Sequence, residues 1–156
     1  MKHVMTGQVC TSLAFACLMS AAAGMDKALA EPPPRYALTP CPDRPNCVST
    51  EATDPDRRMA PISFTGSADA AQAGLLAALR ALPRSTVTRN EPGRIVAEFR
   101  SRTFGFVDEA EFVIDADSGS IRFRGGARSG YWDLGVNRAR MEELTRIFNP
   151  APPPAK

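Results

Sequence analysis

The apolar residues of this chain repeat with a helical period up to Pro83 and with a strand period after it. Before Pro83 they recur every three or four positions, at Ala71, Leu75, Ala78, Leu79 and Leu82. That stripe predicts a helix with one buried face. Ser67 is a suitable N-cap, since its hydroxyl can accept a backbone N–H of the first turn. Pro83 ends the helix because it has no N–H to donate.

After Pro83, apolar and polar residues alternate, which is typical of half-buried strands. The predicted strands are 86–90, 94–102, 107–115 and 120–128, and 62–64 is a candidate for a fifth short one. Turn signals at 91–93 and 117–119 separate them, with a less regular turn at 103–106. The amphipathic stretch 136–148 predicts a second helix that Pro150 ends.

The registers of the predicted hairpins agree with one another. A turn at 117–119 places Phe112 opposite Phe123, and a turn centred on 104–105 places Ala97 on the same face. A single buried face is what fixes strand register. We therefore predict an α+β fold, an antiparallel four- to five-stranded sheet with two helices packed on one face.

The opposite face of the predicted sheet is charged. It collects Glu98, Arg100, Arg102, Glu109, Glu111, Arg122, Arg124 and Arg128. In this register Arg100 lies opposite Glu109, and Arg124 lies opposite Glu111. Arg102 and Arg128 are then left without a carboxylate across the strand.

Residues 1–30 have the pattern of a secretory signal peptide. A cationic start at Lys2 precedes the apolar run 9–23, and Ala28-Leu29-Ala30 supplies the small-x-small cleavage pattern. The alternatives are an uncleaved anchor, for which the run is short of the ~20 residues needed to span a bilayer, and a lipoprotein at Cys17. We expect a periplasmic or secreted protein with no transmembrane segment after cleavage.

The rest of the chain divides into a Pro-rich linker (31–37), one domain (38–149) and a Pro-rich tail (150–156). Beyond residue 30 there are sixteen Arg, one Lys and sixteen acidic residues, a net charge near +1. A nucleic-acid-binding domain is expected to be strongly basic. The balance therefore argues against a nucleic-acid partner.

Two cysteines remain beyond the signal, Cys41 and Cys47, in a stretch (35–60) that we predict to be an irregular arm. An even cysteine count in an exported chain favours a disulfide. A thiol metal site and a redox pair are the alternatives, but the spacing is not C-x-x-C and the only histidine, His3, lies in the signal.

The remaining side chains offer little for catalysis. Without a histidine, no Ser-His-Asp arrangement can form. Asp108, Glu109 and Glu111 could serve a carboxylate-dependent hydrolase, but a strand directs Asp108 away from Glu109, and nearby arginines would keep such carboxylates ionised. Oxygen ligands from Asp108, Asp133 and Asn137 follow no metal-binding loop pattern. We predict no catalytic residue, no metal and no cofactor, although enzymatic activity stays an open alternative.

The best candidate for function is an anion site. Arg102 and Arg128 lie beside Phe104, Phe106 and Tyr131 in the predicted sheet, and guanidinium groups next to aromatic rings suit a carboxylate, phosphate or sulfate with an apolar part. The start of the second helix, capped by Asp133, adds backbone N–H donors. The candidate ligand-binding residues are Arg100, Arg102, Arg128, Tyr131, Asp133, Asn137 and Arg138.

Three stretches of the sequence, 41–49, 97–108 and 130–138, resemble the signatures of the family known as domain of unknown function 1499. The resemblance covers about residues 38–148. It departs at 125–128, where the family tends to have Ser-Ala-Ser-Arg, and at Trp132, where a small polar residue is common. The resemblance implies a domain and no reaction.

From the residues we predict a non-catalytic module that binds an anionic small molecule, a lipid head group or an envelope partner. A structural or interaction protein without a ligand is the alternative, and a hydrolase is a third.

Overall fold

The computed structural model describes residues 36–149. The predictions for the signal segment, most of the linker and the C-terminal tail lie outside these residues. The elements are, in chain order, β1 (Cys47–Ser49), β2 (Ile62–Ser63), α1 (Ala68–Ala81), β3 (Ser85–Glu91), β4 (Arg94–Arg100), β5 (Val107–Asp115), β6 (Ser120–Ala127) and α2 (Val136–Phe148). None of the helices in this part of the chain is long and apolar enough to cross a membrane.

The strands form an antiparallel sheet in the order β1-β6-β5-β4-β3, and β2 pairs with the first residues of β6. The predicted α+β fold is confirmed. The sheet has six strands because Cys47–Ser49 also pairs, with residues 124–126 of β6. That strand lies in the stretch predicted to be irregular, so the prediction was wrong there.

The core lies between one face of the sheet and the two helices. Phe112 opposes Phe123 as predicted, with ring centroids 6.3 Å apart. The whole predicted stripe of α1 is buried in this core, and α2 contributes Met141 and Leu144. Ser67 caps α1 by accepting the N–H of Ala70 at 3.2 Å. Because this apolar face must be buried, it determines which of the alternating side chains of each long strand point toward the core.

The register of β4 and β5 differs by two residues from the prediction. Arg100 lies opposite Val107, and Glu98 rather than Arg100 lies opposite Glu109. The hairpin closes at Ser101, whose N–H donates to the carbonyl of Phe106 at 2.8 Å and whose hydroxyl accepts the N–H of Phe106 at 2.9 Å. A register shift of two residues keeps every side chain on the same face of the sheet but changes which charged residues lie opposite each other on neighbouring strands.

An N-terminal arm, residues 36–46, lies on part of the charged face. The N–H of Thr39 donates to Glu111 Oε2 at 3.0 Å, and Arg122 donates to the carbonyl of Tyr36 at 3.1 Å. The predicted disulfide between Cys41 and Cys47 joins the arm to β1, with the Cα atoms 5.7 Å apart. The arm therefore covers the end of the face that carries the β3–β4 and β5–β6 turns, which we call the turn end.

Candidate functional site at the loop end of the sheet

The opposite end of the sheet, the loop end, is where β4 and β6 finish and β1 and β5 begin. The N–H of Arg128 donates to the carbonyl of Val107 at 3.1 Å, and the N–H of Ala127 donates to that of Asn46 at the same distance. These bonds hold the strand ends together. The β4–β5 loop (101–106) and the β6–α2 loop (128–135) consequently leave the sheet side by side.

These two loops and the first residue of α2 carry all the large hydrophobic side chains that are exposed within residues 36–149. Their exposed fractions are Phe104 76%, Phe106 58%, Tyr131 70%, Trp132 72%, Leu134 82% and Val136 47%. The Phe104 and Phe106 rings lie 5.6 Å apart, centroid to centroid. Clustered exposed apolar side chains mark interaction sites, whereas single ones are ordinary.

The β6–α2 loop has an unusual backbone at its most exposed large hydrophobic residue. Leu134 has φ 55°, between Gly130 at 89° and Gly135 at 80°. The left-handed region crowds the Cβ of a leucine and costs about 1 kcal/mol. Because the side chain of Leu134 points largely into solvent, packing inside the domain does not offset this strain.

A buried polar network fixes the loop in place. Asp133 accepts the backbone N–H groups of Gly135 at 3.1 Å and Asn137 at 2.9 Å, so it supplies an acceptor for the first turn of α2, although the N-cap residue itself is Gly135. The Asn137 amide donates to Asp133 at 2.9 Å and to the Asn46 carbonyl at 3.3 Å. The Asn46 amide donates to the Gly130 carbonyl at 2.8 Å. Asn46 and Asn137 are both 1% exposed, so the network ties the loop to β1 from inside.

The network continues through Arg140 to β5. Arg140 donates to Asn137 Oδ1 at 2.8 Å and pairs with Asp108 at 2.9 Å, and its guanidinium lies 4.5 Å from the centroid of the Phe99 ring. Sequence reasoning missed Asn46 and Arg140. The sequence could have predicted a partner for Asp108. Its position in the alternation of β5 directs its side chain toward the core, and a buried carboxylate requires a cation beside it.

The hydrogen bonds and ion pairs of this network use the side-chain oxygens of Asp108, Asp133 and Asn137, the three residues that the sequence offered as possible metal ligands. Asp108 Oδ2 pairs with Arg140, and both Asp133 oxygens accept N–H groups. Asn137 turns its amide nitrogen to Asp133 and its oxygen to Arg140. These three residues therefore act together as a structural support for the start of α2.

Arg128 is paired, which corrects the prediction that it has no carboxylate partner. Its guanidinium lies 2.7 Å from Glu98 and 2.8 Å from Glu109. In the observed register these two glutamates face each other, and a cation between them removes the repulsion of like charges directly across a strand pair. The hydrogen bond to Glu109, and to a smaller extent the one to Glu98, raise the pKa of Arg128.

Arg100 and Arg102 are accessible cations of the loop end, as is Arg44, which is exposed and donates to the Gly130 carbonyl at 3.5 Å. Arg100 is 60% exposed and lies 3.5 Å from Glu98, a carboxylate that Arg128 already holds more closely. Arg102 is exposed in the β4–β5 loop, and no hydrogen bond or ion pair to its guanidinium is found among residues 36–149. Segment 100–107 contains no acidic residue. Both guanidinium groups are therefore open to an external anion beside Phe104 and Phe106.

The other predicted site residues have different surroundings. Tyr131 is exposed with the aromatic cluster, whereas Asn137 is buried in the network. Arg138 donates to the backbone carbonyls of Asp56 at 2.6 Å and Arg58 at 3.2 Å. It anchors the connection between β1 and β2, and so does not point toward the exposed cluster as the candidate site required.

Comparison with other proteins places the chain by its family. Neither a curated protein sequence nor a solved structure matches it. One family model, described as "Protein of unknown function (DUF1499)", matches residues 37–148. That range contains all of the arm except Tyr36, the polar network and both exposed loops. Since the match spans most of the chain and confirms the resemblance of its three motifs, this protein belongs to the DUF1499 family.

Proposed function

We propose that this protein is a non-catalytic binding module whose loop end holds an anionic group that is attached to an apolar one. The observation that carries the proposal is that Arg100 and Arg102 lie at the start of the same loop that carries the exposed rings of Phe104 and Phe106. Guanidinium groups bind phosphate and carboxylate oxygens with paired N–H donors. Exposed rings next to them favour a ligand that also has an apolar portion.

The charges around the site support this proposal. Asp133 is the only acidic residue in segment 128–136, and its oxygens already accept N–H groups of the α2 start. Glu98 and Glu109 are bridged by Arg128, and Arg124 lies 3.7 Å from Glu109, so two arginines balance these two carboxylates. The nearby carboxylates are thus neutralised within the protein, which leaves Arg100 and Arg102 to attract an external anion.

A carboxylate-dependent hydrolase is less well supported. Such an enzyme needs a carboxyl group whose pKa is raised so that it can donate a proton. Burial alone would raise the pKa of Glu111, but the hydrogen bonds from Thr39 and Arg94 outweigh it and lower that pKa. Asp108 and Glu109 are each engaged by arginine.

The proposal is tested by titrating the protein with octyl phosphate, with inorganic phosphate and octanol as the two partial ligands. We expect octyl phosphate to bind most tightly in calorimetry, because only it engages both the arginines and the rings. Arg102→Ala should weaken that binding roughly ten-fold or more, the usual effect of losing one charge-assisted hydrogen bond.

Arg89→Ala is the matched control. Arg89 is 53% exposed and its ion pair to Glu91 is loose, at 3.8 Å, but it lies on β3 near the turn end. It should leave affinity unchanged. Equal binding of octyl phosphate by both variants, or no binding by the wild-type protein, would contradict the proposal.

Export to the periplasm or the medium is part of the same proposal. The Cys41–Cys47 disulfide is compatible with an oxidising compartment. N-terminal sequencing of protein recovered outside the cytoplasm should begin at Glu31, after Ala28-Leu29-Ala30. An intact Met1 or a lipid on Cys17 would overturn this part.

A further inference from the structure

We infer that the loop end docks on the surface of an anionic lipid bilayer, with the tips of both loops entering the interface and the arginines meeting lipid phosphates. This inference rests on the proposed function and names the source of its anion. It assigns a peripheral membrane-binding role to the exposed cluster of Phe104, Phe106, Tyr131, Trp132, Leu134 and Val136.

The shape of the cluster favours a bilayer over a small-molecule pocket. The described cavities lie elsewhere, one lined by the arm and the β1–β2 connection and one beside α1 and the β3–β4 turn. At the loop end, apolar side chains protrude from two neighbouring loops and are up to 82% exposed. Protruding apolar tips can enter a deformable acyl region without a complementary rigid groove.

The residue types match the layers of a membrane interface. Tryptophan and tyrosine concentrate at the level of the head groups, and phenylalanine and leucine partition below it. Arg100 ends strand β4, behind the tips of the loops, and Arg102 follows two residues later. Cations set back from the inserted tips lie where lipid phosphates would be.

Charge complementarity selects anionic lipids. Segments 100–107 and 128–136 contain three arginines and one aspartate. Arg128 and Arg124 together balance Glu98 and Glu109, and Asp133 is turned toward the start of α2. Arg100 and Arg102 remain, and each basic residue near an anionic surface strengthens binding about five-fold.

The loop is also organised before it binds. The Asn46–Asn137–Asp133 network holds the 130–135 backbone, so little ordering would be required on contact. Leu134 occupies a left-handed position where glycine would be less strained. Since the fold itself does not need this leucine, its exposed side chain is explained by contact with something outside the domain.

Trp132 provides a direct measurement, because it is the only tryptophan in the chain. The protein, without residues 1–30 as export would leave it, is mixed with vesicles of equimolar phosphatidylcholine and phosphatidylglycerol. We expect a blue shift of the Trp132 emission and quenching by brominated acyl chains. Vesicles of phosphatidylcholine alone, or high salt, should reduce partitioning several-fold.

Leu134→Gly is the decisive variant. It removes the strained side chain, so the melting temperature should be unchanged or higher, while partitioning should fall roughly ten-fold for the loss of a large apolar group. Arg102→Ala should weaken partitioning about five-fold, and Arg89→Ala should not change it. Unaltered partitioning of Leu134→Gly would overturn the inference, because the loop would then not be inserted.

The outcomes separate this inference from the proposed function. Binding of octyl phosphate with no binding to either vesicle keeps the proposed function and rejects the bilayer. Failure of both rejects both. A stable dimer in light scattering, dissociated by Leu134→Gly, would show that a second copy covers the cluster and would also overturn docking on lipid.

Discussion

The two ends of the charged sheet face are built from the same strands and the same residue types, yet they have opposite properties. At the turn end, the side chains of Arg94 and Glu111 are 22% and 4% exposed and lie 2.7 Å apart. At the loop end, the side chain of Arg100 is 60% exposed and its carboxylate partner lies 3.5 Å away. The difference is that the first residues of the N-terminal arm, 36–39, cover the turn end, whereas Arg44 and Asn46 at its other end contact only the Gly130 carbonyl of the β6–α2 loop.

The presence or absence of this cover decides whether the arginines at each end can reach a ligand. At the turn end, the arm adds the Thr39 N–H to Glu111, and the Tyr36 ring centroid lies 5.4 Å from the Arg94 guanidinium. Arginines there stabilise the fold and cannot reach a ligand unless the arm moves. At the loop end nothing in residues 36–149 lies over Arg102, so its charge remains available for binding.

The largest expected effect is that of Glu111→Ala at the turn end. The substitution leaves Arg94 and the N–H of Thr39 without their acceptor in a buried setting, which should lower the free energy of unfolding by about 3 kcal/mol. Urea denaturation measures this. Glu111→Gln retains an acceptor and should cost less. A loss below about 0.5 kcal/mol, the usual size for a surface substitution, would show that the arm does not bury this pair.

Loss of the disulfide should have the next largest effect. Replacing Cys41 and Cys47 together by alanine releases the arm from β1, and the short loop that the bridge closes corresponds to about 2 kcal/mol of unfolding free energy. Thermal unfolding of the oxidised and substituted proteins gives the value. The substituted protein should still bind octyl phosphate, because Arg102 does not depend on the arm; lost binding would mean that the two ends are coupled.

Acid should destabilise the turn end through protonation of Glu111. The folded protein lowers the pKa of Glu111 from its ordinary value of 4.5. Ionised Glu111 therefore contributes stability that is fully present above 4.5 and is lost as the pH falls through the lower folded value. Measured unfolding free energies should decline over that range, and Glu111→Gln should flatten the decline. A parallel decline in both proteins would assign it to other carboxylates.

The smallest expected effect on stability is that of Arg102→Ala, below about 0.5 kcal/mol, because an exposed side chain without a partner contributes little to folding. Thermal unfolding measures it, and ligand affinity is measured on the same sample. A large loss of stability would contradict the description of the loop end as an uncovered surface, and would remove the basis for the proposed binding.

The elements that could be predicted are those in which neighbouring residues decide the structure. The stripe of α1, its Ser67 cap and its end at Pro83 depend on residues within a few positions of one another. The β5–β6 hairpin was also correct, because 117–119 is a strong turn signal and Phe112 and Phe123 must both be buried. The disulfide followed from two cysteines close together in the chain.

The elements that were missed depend on distant partners or on a choice between similar local alternatives. β1 has three residues, too few for a periodic signal, and forms because β6 offers an open edge. The centre of the β4–β5 turn was placed one residue too far along, which shifts the pairing by two, since the closing bonds of Ser101 are not visible in an alternation pattern. That error also separated Glu98 from Glu109 and left Arg128 without its partners.

The sequence by itself determined the fold class, the buried faces and the cystine, because hydrophobic periodicity, capping and close spacing act locally along the chain. Only the tertiary structure decided which arginines are accessible. The arm that covers Glu111 is 72 residues away from it in the chain at Thr39, and Asn137 meets the Asn46 carbonyl across 91 residues. Burial and ion pairing are properties of such distant contacts, and charge patterns along a strand do not specify them.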